Sequence, residues 1–107
     1  ILCQFQNPGV KRVLGAMNAV TGWDLTTEEL LTLGKRMVTL KRLLNLRRGL
    51  TRADERLPKL LRKSMRGGTE GQVPDLDTLL AGAYTEYGWD LETGAPTQAT
   101  LAKLDLE

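Results

Sequence analysis

The sequence predicts an all-α fold, a single small domain of four to five helices with irregular connectors. Three observations predict it. Apolar residues recur at three-and-four spacing over long stretches. Helix-starting residues and helix-stopping glycines alternate along the chain in matching order. Strand-like alternation is nearly absent.

The elements run in order. Asn7-Pro8 is a start signal, Asn capping free amides and Pro suiting the first helical position. Val10, Val13, Leu14, Met17 and Val20 then mark one helical face, and Gly22 closes it in the left-handed conformation. Thr26 and Glu29 form a capping box for the next helix, which runs from about residue 27 to 48. Leu30, Leu33, Met37, Leu40 and Leu44 make its stripe, widened by Leu31 and Val38. Glu28 and Glu29 suit the positive end of its dipole, Arg47 and Arg48 the negative end, and Gly49 stops it. Residues 50–74 are less regular. Pro58 suits the first turn of a short helix through Arg62, and Gly67-Gly68-Thr69-Glu70-Gly71 reads as a connector. Asp75 caps a helix bearing Leu76, Leu79, Leu80, Ala83, Tyr84 and Tyr87, ended by Gly88. After a loop through Pro96, Thr97 caps a last short helix with Leu101 and Leu104.

Gly22-Trp23-Asp24-Leu25 and Gly88-Trp89-Asp90-Leu91 hold both tryptophans. The simple reading is a repeated helix stop: glycine turns, tryptophan folds back onto apolar surface, aspartate caps the next element. An aromatic binding surface is the alternative, and it usually needs more aromatics than the five present.

Length and composition bound the function. The 107 residues hold one domain with one core, 41% of them hydrophobic and 26% charged, with formal net charge +2. No apolar run nears the roughly 20 residues needed to span a bilayer, and no basic-then-apolar signal segment leads the chain; the expectation is no membrane association. A single cysteine cannot form an internal disulfide, which favours a reducing, cytoplasmic setting.

Charge is segregated. Residues 35–66 carry twelve cations against two anions, a net +10, while the rest carries three cations against eleven anions, a net −8. Such a segment could meet phosphates, an acidic protein, or an acidic face of a larger parent. Against nucleic-acid binding, there is no helix-turn-helix spacing, zinc-ligand set or aromatic platform among these residues. The carboxylates come as Glu28/Glu29, Asp54/Glu55, Asp75/Asp77 and Asp90/Glu92. An acid–base pair needs burial or a like-charged neighbour to shift its pKa; these sit at helix starts and loops, where capping explains them. The glycine cluster at 67–71 lacks the Lys-Ser/Thr of a phosphate-binding loop and follows no strand. Nothing here makes an autonomous active site.

With no histidine in the chain, Cys3 is the one residue with strong nucleophilic or soft-ligand chemistry. A free cysteine can also be a small buried hydrophobe, and chemistry alone favours that reading. It lies close to a first residue, Ile1, that is not an initiator methionine, so the chain reads as a fragment.

Its company along the chain points further. Ile1-Leu2-Cys3-Gln4-Phe5, Asn18-Ala19-Val20-Thr21-Gly22-Trp23-Asp24-Leu25-Thr26, Glu28-Glu29-Leu30, Leu40-Lys41-Arg42-Leu43-Leu44-Asn45, Arg48-Gly49-Leu50-Thr51-Arg52 with Asp54 and Leu57-Pro58, and Gly88-Trp89-Asp90 resemble, in order, the C-terminal region of the tungsten-containing aldehyde ferredoxin oxidoreductases. The resemblance makes residues 1–107 the helical C-terminal domain of a larger oxidoreductase. It implies tungstopterin (a bis-pterin tungsten centre) and a 4Fe–4S cluster in the full-length parent. The parent would oxidise aldehydes to carboxylic acids and pass electrons to ferredoxin. Leu2-Cys3 resemble the end of a motif of Asp followed by Leu-Cys. By that likeness Cys3 supplies the fourth cluster thiolate, and Leu2 and Cys3 contact one pterin, with the aspartate upstream of Ile1. The partners implied are the upstream domains, ferredoxin and the aldehyde, with a homodimeric parent as a further option. The isolated chain, holding one ligand of four, is expected to be inactive and to bind no cluster. The competing reading is a stand-alone helical module whose basic segment 35–66 binds an acidic protein or nucleic acid.

Overall fold

The computed structural model describes Phe5 and residues 7–107. Leu2 and Cys3 lie outside the described residues. Those residues form four α-helices: α1 (Gly9–Thr21), α2 (Thr27–Arg47), α3 (Leu76–Tyr87) and α4 (Gln98–Lys103), with 3₁₀ turns at Arg52–Asp54 and Lys59–Arg62. The all-α prediction holds: the one strand-like pairing among them is an isolated bridge between Trp89 and Pro96. No helix among the described residues is long and apolar enough to cross a membrane. The chain divides into two compact units, one up to Met37 and one from Val38 onward, with α2 running through the division.

In the first unit, the start of α1 differs from the sequence reading. Asn7 makes no cap; Pro8 occupies the capping position without a side-chain hydrogen bond. Asn7 itself has φ 40°, a left-handed backbone, whereas a capping side chain reaches the first amides from an extended one. Gly22 closes α1 as expected, with φ 72° and its N–H donating to Asn18 O. The Asn18 amide then clasps the connector: Nδ2 donates to Leu25 O at 2.9 Å, and Leu25 N donates to Asn18 Oδ1 at 3.1 Å. The predicted capping box is present, Thr26 N donating to Glu29 Oε2 at 2.7 Å and Glu29 N to Thr26 Oγ1 at 3.2 Å.

In the second unit the core is small. Tyr84 and Leu104 are its buried hydrophobic residues, and Thr39 and Arg42 on α2 are buried as well. The predicted stripe is therefore not the inward face of this part of α2. Leu40 and Leu44 are exposed, while Thr39, Arg42, Leu43 and Leu46 are turned away from solvent. The partners decide this: the space beside α2 is filled by a ring-and-carbonyl surface that takes a guanidinium rather than an aliphatic stripe.

The ends of the remaining helices match the sequence reading. Gly49 has φ 84°, and Leu50 N donates back to Asn45 O at 3.1 Å. Asp75 caps α3 by accepting from Thr78 N, and Gly88 ends it with φ 68°. Thr97 caps α4 by accepting from Thr100 N. The short helix after Pro58 is a 3₁₀ turn, Lys59–Arg62. A second turn, Arg52–Asp54, has no counterpart in the sequence reading; it carries its own capping box between Thr51 and Asp54.

Candidate functional site

The sequence places its candidate site at Leu2 and Cys3, outside the described residues, so the features that can be built residue by residue lie elsewhere. Three matter: the carboxylates, the basic segment and the two tryptophan turns.

In each of the four carboxylate pairs one member caps a helix or turn. Glu29 accepts from the backbone and side chain of Thr26, and these bonds hold its carboxyl below the usual range. Bonds from the Thr51 backbone and side chain do the same for Asp54. At Asp75 and Asp90 the hydroxyls and then the amides of Thr78 and Thr93 lower the pKa. A general acid needs the opposite shift. These groups stay ionised and do structural work, as their position in the sequence implies.

Glu55, the other member of its pair, has a different role that sequence reasoning misses. It faces Arg42, which in the sequence is only one cation of the basic segment. Arg42 is 7% exposed and its Nη1 lies 2.6 Å from Glu55 Oε1. Its Nε donates to Gly94 O at 2.7 Å. Its guanidinium carbon also stands 5.7 Å from the Tyr84 ring centroid and 5.5 Å from that of Trp89. The Tyr84 hydroxyl donates to Glu55 Oε2 in turn. Burial, then the bond to Glu55 and its charge, push the Tyr84 pKa up, keeping the donor proton in place. One cation thus ties α2, the loop after Thr51, α3 and the Thr93–Gly94 turn together. The structure marks the junction at Gly94, φ 66°, where an added Cβ would run into Arg42 and Tyr84; nothing in the sequence signals it.

Arg42 is therefore not part of a surface charge array, and Arg52 is also engaged, its Nη2 2.9 Å from Asp77 Oδ1 and its guanidinium above Tyr84. Lys59, Arg62 and Lys63 remain exposed on the turn after Pro58. Lys63 is in the wall of a groove of about 390 Å³ lined by Leu60, Leu61, Met65, Val73 and Pro74. Among the described residues, no three His, Cys, Asp or Glu side chains gather as a metal-binding group.

The two Gly-Trp-Asp-Leu turns share their glycine and diverge at the tryptophan. Gly22 and Gly88 both take the left-handed cap conformation, as read from sequence. Trp89 folds in, its ring centroid 5.2 Å from Tyr87 and 5.9 Å from Tyr84. Asp90 caps the turn to Thr93. Trp23 instead stays 55% exposed, which corrects the expectation that it folds back. The cap after it is Thr26, not Asp24.

Comparison with known proteins gives these features a context. The family model for aldehyde ferredoxin oxidoreductase, domains 2 and 3, matches residues 1–106. Tungsten-containing aldehyde ferredoxin oxidoreductase of Thermococcus kodakarensis is 39% identical over 85 residues, covering 77% of this chain and 14% of the relative. The enzyme of the same name from Pyrococcus abyssi is 39% identical over 94 residues, covering 85% of this chain and 15% of the relative. That of Pyrococcus furiosus is 38% identical over 85 residues, 77% of this chain and 14% of the relative. The chain thus spans about one seventh of the length of these relatives. No solved structure matches it. With a match from end to end and relatives above one-third identity, the chain belongs to the aldehyde ferredoxin oxidoreductase family, as a C-terminal domain of it.

Proposed function

We propose that this domain completes the redox site of a tungsten-containing aldehyde ferredoxin oxidoreductase by supplying Cys3 as the fourth thiolate of a 4Fe–4S cluster. The observation that carries the reading is the family match over residues 1–106, which includes the Leu2-Cys3 pair. Donor chemistry fits: such clusters are held by four cysteine thiolates. A chain with one cysteine and no histidine offers one of the four, and the rest of the set belongs to the upstream part of the longer polypeptide. Leu2 and Cys3 would also contact one pterin.

When bound, tungstopterin and the cluster supply the oxidation itself: aldehyde and water give carboxylic acid, two protons and two electrons, which leave singly for ferredoxin. The chain's own part is position. Cys3 would hold one iron of the cluster. A thiolate ligand requires a reduced cysteine, consistent with a cytoplasmic setting. The isolated chain, with one ligand of four, would be inactive.

The test is the electron paramagnetic resonance of the reduced full-length enzyme. Cys3→Ala should abolish the 4Fe–4S signal or convert it to that of a three-iron species. An unchanged signal removes Cys3 from the ligand set.

A further inference from the structure

Trp23 stands out because hydrogen bonds fix the backbone of its turn while the indole is left uncovered. Gly22 turns the chain at φ 72°. The Trp23 N–H donates to Thr21 Oγ1 at 3.2 Å, and that hydroxyl donates to Met17 O at 2.7 Å. On the far side of the turn, the Asn18 amide holds Leu25 through both its N–H and its carbonyl. The three residues between are thus pinned at both ends, and the indole they carry is 55% exposed. Val20, on the last turn of α1, is 87% exposed. α1 has no buried residue at all.

The second copy of the same tetrapeptide shows that this exposure is not a property of the motif. Gly88 takes the same left-handed turn, yet Trp89 is packed between Tyr84 and Tyr87 and its N–H donates to Tyr84 O at 2.8 Å. Trp89 has rings of its own chain to lie on. Among the described residues, no ring packs on Trp23. A half-exposed tryptophan on a backbone-pinned turn is the residue type that anchors interfaces, because it brings a large apolar area with its backbone already ordered.

We infer that Trp23 is the anchor by which this domain docks onto the upstream part of its own polypeptide, its indole entering an apolar pocket with an acceptor for Nε1–H. The occupant is set by length. The chain spans 14–15% of its relatives, so most of the polypeptide that could cover Trp23 lies outside it. The inference rests on family membership. It does not need Cys3 to be a ligand, so the two can fail separately.

Oxidative footprinting of the full-length holoenzyme tests it, with N-acetyltryptophanamide as the reference compound. Trp23 should oxidise at less than about one tenth of the reference rate, and the protection should persist on dilution to nanomolar protein. A rate near half of the reference, as its exposure here implies, overturns the inference. Protection that disappears on dilution also overturns it, since it would identify a second copy as the cover.

Discussion

Arg42 and Gly94 show how much of this domain depends on single atoms being absent or charged. Gly94 leaves room for a guanidinium that would otherwise meet a methyl group, and its carbonyl accepts from Arg42 Nε. Gly22 has the same left-handed backbone but open space where a Cβ would be. The pair separates two costs that glycine substitutions usually mix. Gly22→Ala should cost about 1–2 kcal/mol, the conformational part alone. Gly94→Ala adds displacement of Arg42 and Tyr84, and should cost about 3–5 kcal/mol. Thermal unfolding of both variants measures the difference; equal losses would mean Arg42 adjusts freely. Removing Arg42 itself would strand Glu55, which is 24% exposed and holds the Tyr84 hydroxyl as well.

At the level of elements, caps are the most legible part of the sequence. Thr26 with Glu29, Asp75, Thr97, and the glycines at 22 and 88 all act as read, because a cap is settled locally, within three or four residues. Asn7 fails for a backbone reason that its side chain does not announce. The inward face of α2 in the second unit is not legible either. Periodicity reports which residues share a face, but whether that face is covered depends on elements far along the chain. The caps carry a pH prediction. Asp75 has a lowered pKa in the fold, so its contribution is present above the ordinary carboxylate value and lost as pH falls toward the folded one. Asp75→Asn keeps an acceptor but not the charge. Its stability deficit against the parent chain should be constant near neutrality and shrink below about pH 4. Denaturant midpoints followed by circular dichroism across that range decide it.

Over the whole molecule, sequence charge overstates the surface array. Of the twelve cations in residues 35–66, Arg42 is buried and Arg52 is paired, while Lys59, Arg62 and Lys63 are exposed, Lys63 in the wall of the apolar groove. On the proposal that the full-length enzyme passes electrons to ferredoxin and that this patch docks it, reversing all three (Lys59→Glu, Arg62→Glu, Lys63→Glu) should raise the KM for ferredoxin about tenfold at low salt and little at high salt, leaving kcat unchanged. No change at low salt would place carrier docking elsewhere. The family assignment is legible because it rests on a string of residues in order, whereas the Arg42 contacts join positions far apart. That separation has a consequence for how the protein is made. Arg42 waits for Thr93 and Gly94, 51 and 52 residues later. During synthesis, at roughly 5–20 residues per second, the guanidinium therefore spends several seconds outside the ribosome before its acceptors emerge. The whole segment from Arg42 to Gly94 must therefore emerge before this small core can close.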